Sequence, residues 1–344
     1  MLTFLPEIFQ SWALHGGRTK TAKVPLAISM GDENRTGMTE FYFRPFSSLP
    51  KVQLLIFLIL LLMYMVSVCG NGTIVLIVCT DRSLHTPMYF FLANLAAMEI
   101  CYSTIIAPLT LANLTSLRKA TISLAGCGIQ MFFFIFQGGA GCVLLAFMAY
   151  DQYVAICHPL RYTIIMSWTV CVSIVAASLA LGFLVSLNMT ILIFHLPFCG
   201  TNEIYHFFCD IPAILRLACS NTHAHQVALY ICSVINVAIP FLLICFSYAF
   251  IVVTILRISS GAGRHRTFST CSSHLMVVAL MYGCSSFRYL RPSSSYSPEQ
   301  GRVVSVVYTF ITPVLNPLIY SMRNKELKDA LSRALGRKVL HQSK

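Results

Sequence analysis

Few side chains in this sequence could do chemistry, and most of those stand in apolar surroundings. Glu99 is the one acid inside a long apolar run, and an ionisable group there is costly enough to mark a functional position. Asn71 and Asn316, each also set among apolar residues, are its candidate partners. One reading is a functional polar core. The other is a protonated glutamate hydrogen-bonded as structural glue. Ten of the 14 cysteines lie in apolar runs or at their ends, where packing explains them. Cys127, Cys199, Cys209 and Cys219 instead fall at the start of one run and in one loop, which suits an oxidising compartment; four cysteines allow three pairings. No nucleophile stands with a base and no His-Glu-x-x-His is present, so catalysis has no candidate group. His223 and His225 make a weak metal pair, and a hydrogen-bonding role suits the lone His274 better.

The elements that carry these residues are seven apolar stretches, at approximately 52–80, 88–112, 121–149, 166–190, 226–256, 267–287 and 303–322, free of Asp, Glu, Lys and Arg except for Glu99. About 20 apolar residues cross a hydrocarbon core ~30 Å thick. Backbone groups in lipid must be satisfied within the segment, so the stretches are helices; barrel strands would alternate in polarity. Charged residues are 10%, apolar residues 57% and the mean hydropathy is +0.74, which excludes a water-soluble domain. The net charge of +12 is scattered over loops and a tail, pointing to a bilayer surface or an acidic protein partner and not to nucleic acid.

The expected fold is therefore an all-α membrane protein: a seven-transmembrane helical bundle over 52–322, an N-terminal segment 1–51 and a tail 323–344. In the tail Leu327, Leu331 and Leu335 recur every four residues between Lys325 and Arg337, a short amphipathic helix for the membrane surface. Lys and Arg counts on the two sides tie, so the loop cysteines set the orientation: N-terminus extracellular, C-terminus cytosolic. Asn34-Arg35-Thr36, a glycosylation acceptor, then lies outside.

Four long motifs carry a resemblance. Leu84-His85-Thr86-Pro87-Met88-Tyr89-Phe90-Phe91-Leu92 enters span two, and Met148 to Tyr162 leaves span three. Phe268-Ser269-Thr270-Cys271-Ser272-Ser273-His274-Leu275 opens span six, and Pro313-Val314-Leu315-Asn316-Pro317-Leu318-Ile319-Tyr320 closes span seven. In this order, from about Met30 to Lys338, the chain resembles the olfactory receptors of the rhodopsin-like G-protein-coupled class. The resemblance implies disulfides Cys127–Cys209 and Cys199–Cys219. It implies switch and coupling roles for Asp151, Gln152, Tyr153, Tyr248, Arg264, Asn316, Pro317 and Tyr320, and a polar cluster of Asn71 and Glu99 that could hold sodium. Two departures stand out. Gln152 replaces the arginine usual between the acid and the tyrosine, and Gly141 stands where many members carry a further acid. Residues 1–29 resist the family pattern, with no basic region ahead of a short apolar run broken by Pro6 and Glu7; they are an atypical extension, and Met30 is the expected start.

Helical spacing puts Phe134, Gly138 and Gly141 on one face of helix three. By family analogy Ile135, Gly139, Cys232, Asn236, Tyr282, Ser285, Tyr289 and Thr309 complete a pocket between the helices. This apolar or neutral lining suits a small, uncharged, largely hydrophobic volatile molecule. It suits an amine poorly, since Phe134 stands where amine receptors of this class carry a carboxylate. Gly138-Gly139-Ala140-Gly141 could serve close helix packing, pocket volume, or both. The resemblance implies an odorant receptor of the plasma membrane, in olfactory cilia, that engages a heterotrimeric stimulatory olfactory G protein and raises cAMP, with membrane lipids as neighbours and no cofactor. A receptor for another small lipophilic ligand outside the nose and a membrane transporter are the alternatives; the transporter would need paired halves with midplane charges, which the sequence lacks.

Overall fold

The computed structural model describes residues 39–115, 121–199, 201–257, 261–289, 298–323 and 325–342. Helix α1 is Pro50–Thr80, α2 is Pro87–Thr115, α3 is Leu124–Cys157 and α4 is Trp168–Phe194. α5 runs over His223–Arg257 and α6 over Gly261–Tyr289. α7 joins Pro298–Val306, the π-turn Val307–Ile311 and Thr312–Arg323; α8 is Lys325–Gln342. Among the described residues six of these, α1 to α5 and α7, are long and apolar enough to cross a membrane. The 29-residue α6 takes the remaining place in the bundle, packed against α5, α3 and α7.

Local sequence sets the helix ends. Prolines open α1 and α2, where a missing N–H costs nothing. Ser123 caps α3, its Oγ accepting from the Gly126 N–H at 3.0 Å. α3 runs eight residues beyond the expected end at 149, because the first proline after it is Pro159. Its expected first residues, Thr121–Ser123, form a strand instead. The π-turns, Val234–Ala238 in α5 and Val307–Ile311 in α7, each lie just before a proline, Pro240 and Pro313. A proline ring displaces the carbonyl four residues back, and a widened turn absorbs that displacement.

α3 is the central rod, packed on α2, α4 and α5. α1 touches mainly α2 and α7 and leaves Leu54, Leu55, Leu58 and Leu62 exposed, as a lipid-facing helix must. At the disulfide-bearing end a small sheet, unforeseen from the sequence, joins three distant segments. β1 (Glu40–Phe43) lies between antiparallel β2 (Thr121–Ser123) and parallel β3 (Glu203–Ile204). Phe41 and Phe43 are fully buried there beside Cys127, Cys209 and Ile204. At the far end α8 buries Leu327 and Ala330 against the bundle. Tyr89 donates to Glu326 Oε2 at 2.9 Å, and Arg333 Nη2 meets Asp81 Oδ2 at 2.8 Å.

Candidate functional site

A mostly apolar cavity of about 140 Å³ opens between α2, α3, α4, α5, α6 and α7. From α3 it takes Phe134, Ile135, Gly138 and Gly139; from α5, Cys232 and Asn236; from α6, Ser285 and Tyr289. The glycine run divides its work. A Cβ on Gly138 would meet nothing within 4 Å, so this glycine makes cavity space. Gly139 faces the Gly182 backbone and Asn236, and Ala140 presses on Gly182, so these two bring α3 close to α4. Gly141 leaves room that the Met281 side chain fills.

Two expected pocket residues sit off the cavity. The Tyr282 hydroxyl turns away to donate to the Cys142 carbonyl at 2.7 Å, with its ring against Phe241. Thr309 is buried with its Oγ1 3.3 Å from the Tyr102 hydroxyl, and the π-turn presents Tyr308 to the cavity in its place. Sequence reasoning also missed Glu99, Tyr102, Gln137 and Thr312 in the wall. An acid therefore does border the cavity, from α2 and not from helix three.

The disulfide end borders this space through Ile211. Cys127 is bonded to Cys209 and Cys199 to Cys219. Gln130 Oε1 accepts from the Cys209 N–H at 2.9 Å, pinning the loop onto α3. The next residue, Asp210, is completely buried; it accepts from Arg288 Nε at 2.7 Å, from Arg288 Nη2, and from the Tyr289 hydroxyl at 3.1 Å. His206 joins α7 through Ser305 Oγ at 3.0 Å. Burial is the main cause that pushes the His206 imidazole down to about 3; Asp210 opposes this, while Arg288 and Arg302 add to it. The available signal for this latch was an acid directly after a loop cysteine and an arginine at the end of span six.

Below the cavity Asn316 Nδ2 donates to Glu99 Oε1 at 2.9 Å. Asn71 does not reach Glu99; its Nδ2 donates to the carbonyls of Ser67 at 2.9 Å and Pro313 at 3.0 Å, the latter tying α1 to α7. Pro317 packs on Gly70, where a Cβ would lie 3.0 Å from the ring. At the far end Asp151 accepts from the Tyr162 hydroxyl at 2.8 Å, and Gln152 Oε1 lies 2.8 Å from the Tyr248 hydroxyl. His274 faces the same hydroxyl through Nδ1 at 2.9 Å and the Leu145 carbonyl through Nε2 at 3.1 Å. Tyr153 meets His158 at 3.0 Å. The Tyr320 hydroxyl is buried without a hydrogen-bond partner among the described residues. The Arg264 side chain and all of Asn34 and residues 1–29 lie outside the described residues.

A buried central rod, two disulfides at one end, a mostly apolar cavity and a polar far end thus belong to one helical bundle. Comparison with known proteins names the kind. The family model for olfactory receptors matches residues 60–338. The chain belongs to the olfactory receptor family. It is 65% identical over 302 residues to Olfactory receptor 10V1 of Homo sapiens, covering 88% of this chain and 98% of that protein. It is 54% identical to Olfactory receptor 10Q1 of Homo sapiens, over 89% and 96% of the two chains, and 49% identical to Olfactory receptor 10R2 of Homo sapiens, over 89% and 91%. As an olfactory receptor it is a multi-pass G-protein-coupled receptor of the plasma membrane and not an enzyme.

Proposed function

We propose that this olfactory receptor binds a small, mostly apolar, uncharged volatile molecule in the cavity beside Gly138 and responds by activating a stimulatory olfactory G protein, raising cAMP. The observation that carries the reading is the cavity: bordered by Ile211 of the disulfide-pinned loop, apolar in most of its wall, and about the volume, ~150 Å³, that takes benzene in a dry protein interior. The agonist must favour the active arrangement over the resting one, since a ligand shifts an equilibrium only by its differential affinity. The disulfide end then faces outward, as it would at the surface of an olfactory cilium, with Asn34 glycosylated. The far end, with Asp151, Gln152, Tyr153, Tyr248, Arg264 and Tyr320, meets the G protein. Asn71, Glu99, Asn316 and Pro317 form the region that rearranges. A sodium ion there would have Glu99 as its acid, Gly141 offering no second one.

The test is Gly138→Leu, whose Cβ would meet nothing within 4 Å and whose remaining atoms take up cavity space. In cells screened with a volatile library, agonist potency in cAMP is expected to fall about tenfold or more at unchanged surface level, since each ~1.4 kcal/mol of lost affinity is tenfold. Undiminished potency would show that the ligand binds elsewhere.

A further inference from the structure

Resting on the cavity as the ligand site, we infer that Gly141, which is not part of the wall, sets how long a ligand the receptor accepts, by letting the Met281 side chain lie down as the cavity floor. On α6 the cavity meets Tyr289, Ser285 and Met281, four residues apart along one face. Met281 is the innermost of the three, about 12 Å along the helix from Tyr289 and the disulfide end. The tip of its side chain is turned to α3. A Cβ on Gly141 would lie 2.9 Å from Met281 Cε and 3.8 Å from its Sδ, so the thioether fills the notch that the buried glycine leaves. The position at which many members of the family carry an acid is here the seat of a flexible apolar side chain.

Neither backbone can retreat at this level. The hydroxyl of Tyr282, the next residue on α6, donates to the Cys142 carbonyl at 2.7 Å, and the Leu145 carbonyl one turn further along α3 accepts from His274 at 3.1 Å. Two hydrogen bonds thus hold α6 to α3 beside the notch. The Tyr282 ring also lies against Phe241 of α5, with centroids 5.5 Å apart. A methyl group at position 141 must therefore be accommodated by the Met281 side chain, which is unbranched and free to turn about its bonds. The open space next to it is the cavity, whose wall it already forms. Raised into that space, the thioether takes volume from the inner end of the 140 Å³ and leaves the part beside Gly138 as it was. A floor that rises shortens the longest guest and does nothing to a short one.

The experiment uses the full-length receptor purified in detergent micelles and reads affinity from the ligand-dependent rise of its melting temperature. Probes are two homologous series, the straight-chain primary alcohols from butanol to nonanol and the alkylbenzenes from toluene to butylbenzene. In wild type, affinity should rise about fourfold with each buried methylene and stop rising at the member that reaches the floor. Gly141→Ala should bring that limit about one or two carbons earlier, weakening the longer members about tenfold and leaving the shorter ones unchanged. Met281→Ala should move the limit to longer members. Adding Gly141→Ala to it should then change nothing, because no thioether is left to lift. A Gly141→Ala form that folds only together with Met281→Ala upholds the contact, and the longer limit of Met281→Ala then upholds the floor. A limit unmoved by Gly141→Ala, or affinity lost equally at every length as loosened helix packing would give, overturns the inference and leaves the receptor reading standing. Failure of both Gly141→Ala forms to fold also overturns it, since a neighbour other than Met281 would then need the glycine. No shift with any probe in wild type removes the cavity as a site for such molecules, and both fall.

Discussion

A single phenolic proton organises the far end of the bundle. His274 must carry its hydrogen on Nε2, because its partner there, the Leu145 carbonyl, can only accept. Its Nδ1 is then an acceptor, and so is Gln152 Oε1; both face the one Tyr248 hydroxyl, at 2.9 and 2.8 Å. One proton cannot serve both. Turning the Gln152 amide end for end lets its nitrogen donate to Tyr248 while Tyr248 donates to His274, which satisfies every group. The arginine usual at this position in the family would donate in the same sense, with a full charge. Gln152→Arg is therefore expected to change ligand-free cAMP and to raise ligand-driven cAMP severalfold at equal surface level; identical signals from both forms would end the idea. At Glu99 the partner is plain, and Asn316→Leu should lower stability by about 1–3 kcal/mol, seen as a lower melting temperature of the purified receptor, because it strands a buried carboxyl oxygen.

Among the helices α3 fits closely on α4. A Cβ on Gly182 would lie 2.9 Å from Ala140 Cβ and 3.0 Å from the Phe136 carbonyl oxygen, backbone that has nowhere to go, and Ser186 donates across the same seam to the Phe132 carbonyl. Gly182→Val should cost about 1–3 kcal/mol or more and sharply reduce the receptor reaching the cell surface, whereas Gly138→Val should not. This is also where the sequence was only partly legible. The apolar runs located the helices, because hydrocarbon thickness dictates their length. Which glycine serves packing and which serves space depends on rotation about the helix axis, and the two π-turns shift that rotation along α5 and α7. Pro240 and Pro313 were the visible warnings. Unheeded, they leave Thr309 assigned to a wall that Tyr308 occupies.

For the molecule as a whole, the lid is the part least legible beforehand, because a loop's polar contacts are long-range: Asp210 finds Arg288, 78 positions away in the chain. The β-sheet escaped notice for the same reason, its strands being too short to show a period. The lid carries a pH dependence of defined sign. His206, ordinarily near 6.5, is held down to about 3 in the folded receptor, so stability is whole above pH 6.5 and falls as pH drops toward 3. By about pH 4.5 the loss should reach about 2–3 kcal/mol at roughly 1.4 kcal/mol per pH unit, and His206→Gln should flatten the difference in melting temperature between about pH 7.5 and 4.5. The sheet has a different consequence, one for biosynthesis. β1 is translated first of its three strands, yet its parallel neighbour emerges only after more than half the chain has been made. Until then Phe41 and Phe43 wait uncovered, so the first-made strand is the last to be seated, and nascent receptors should be held by folding helpers until Ile204 arrives.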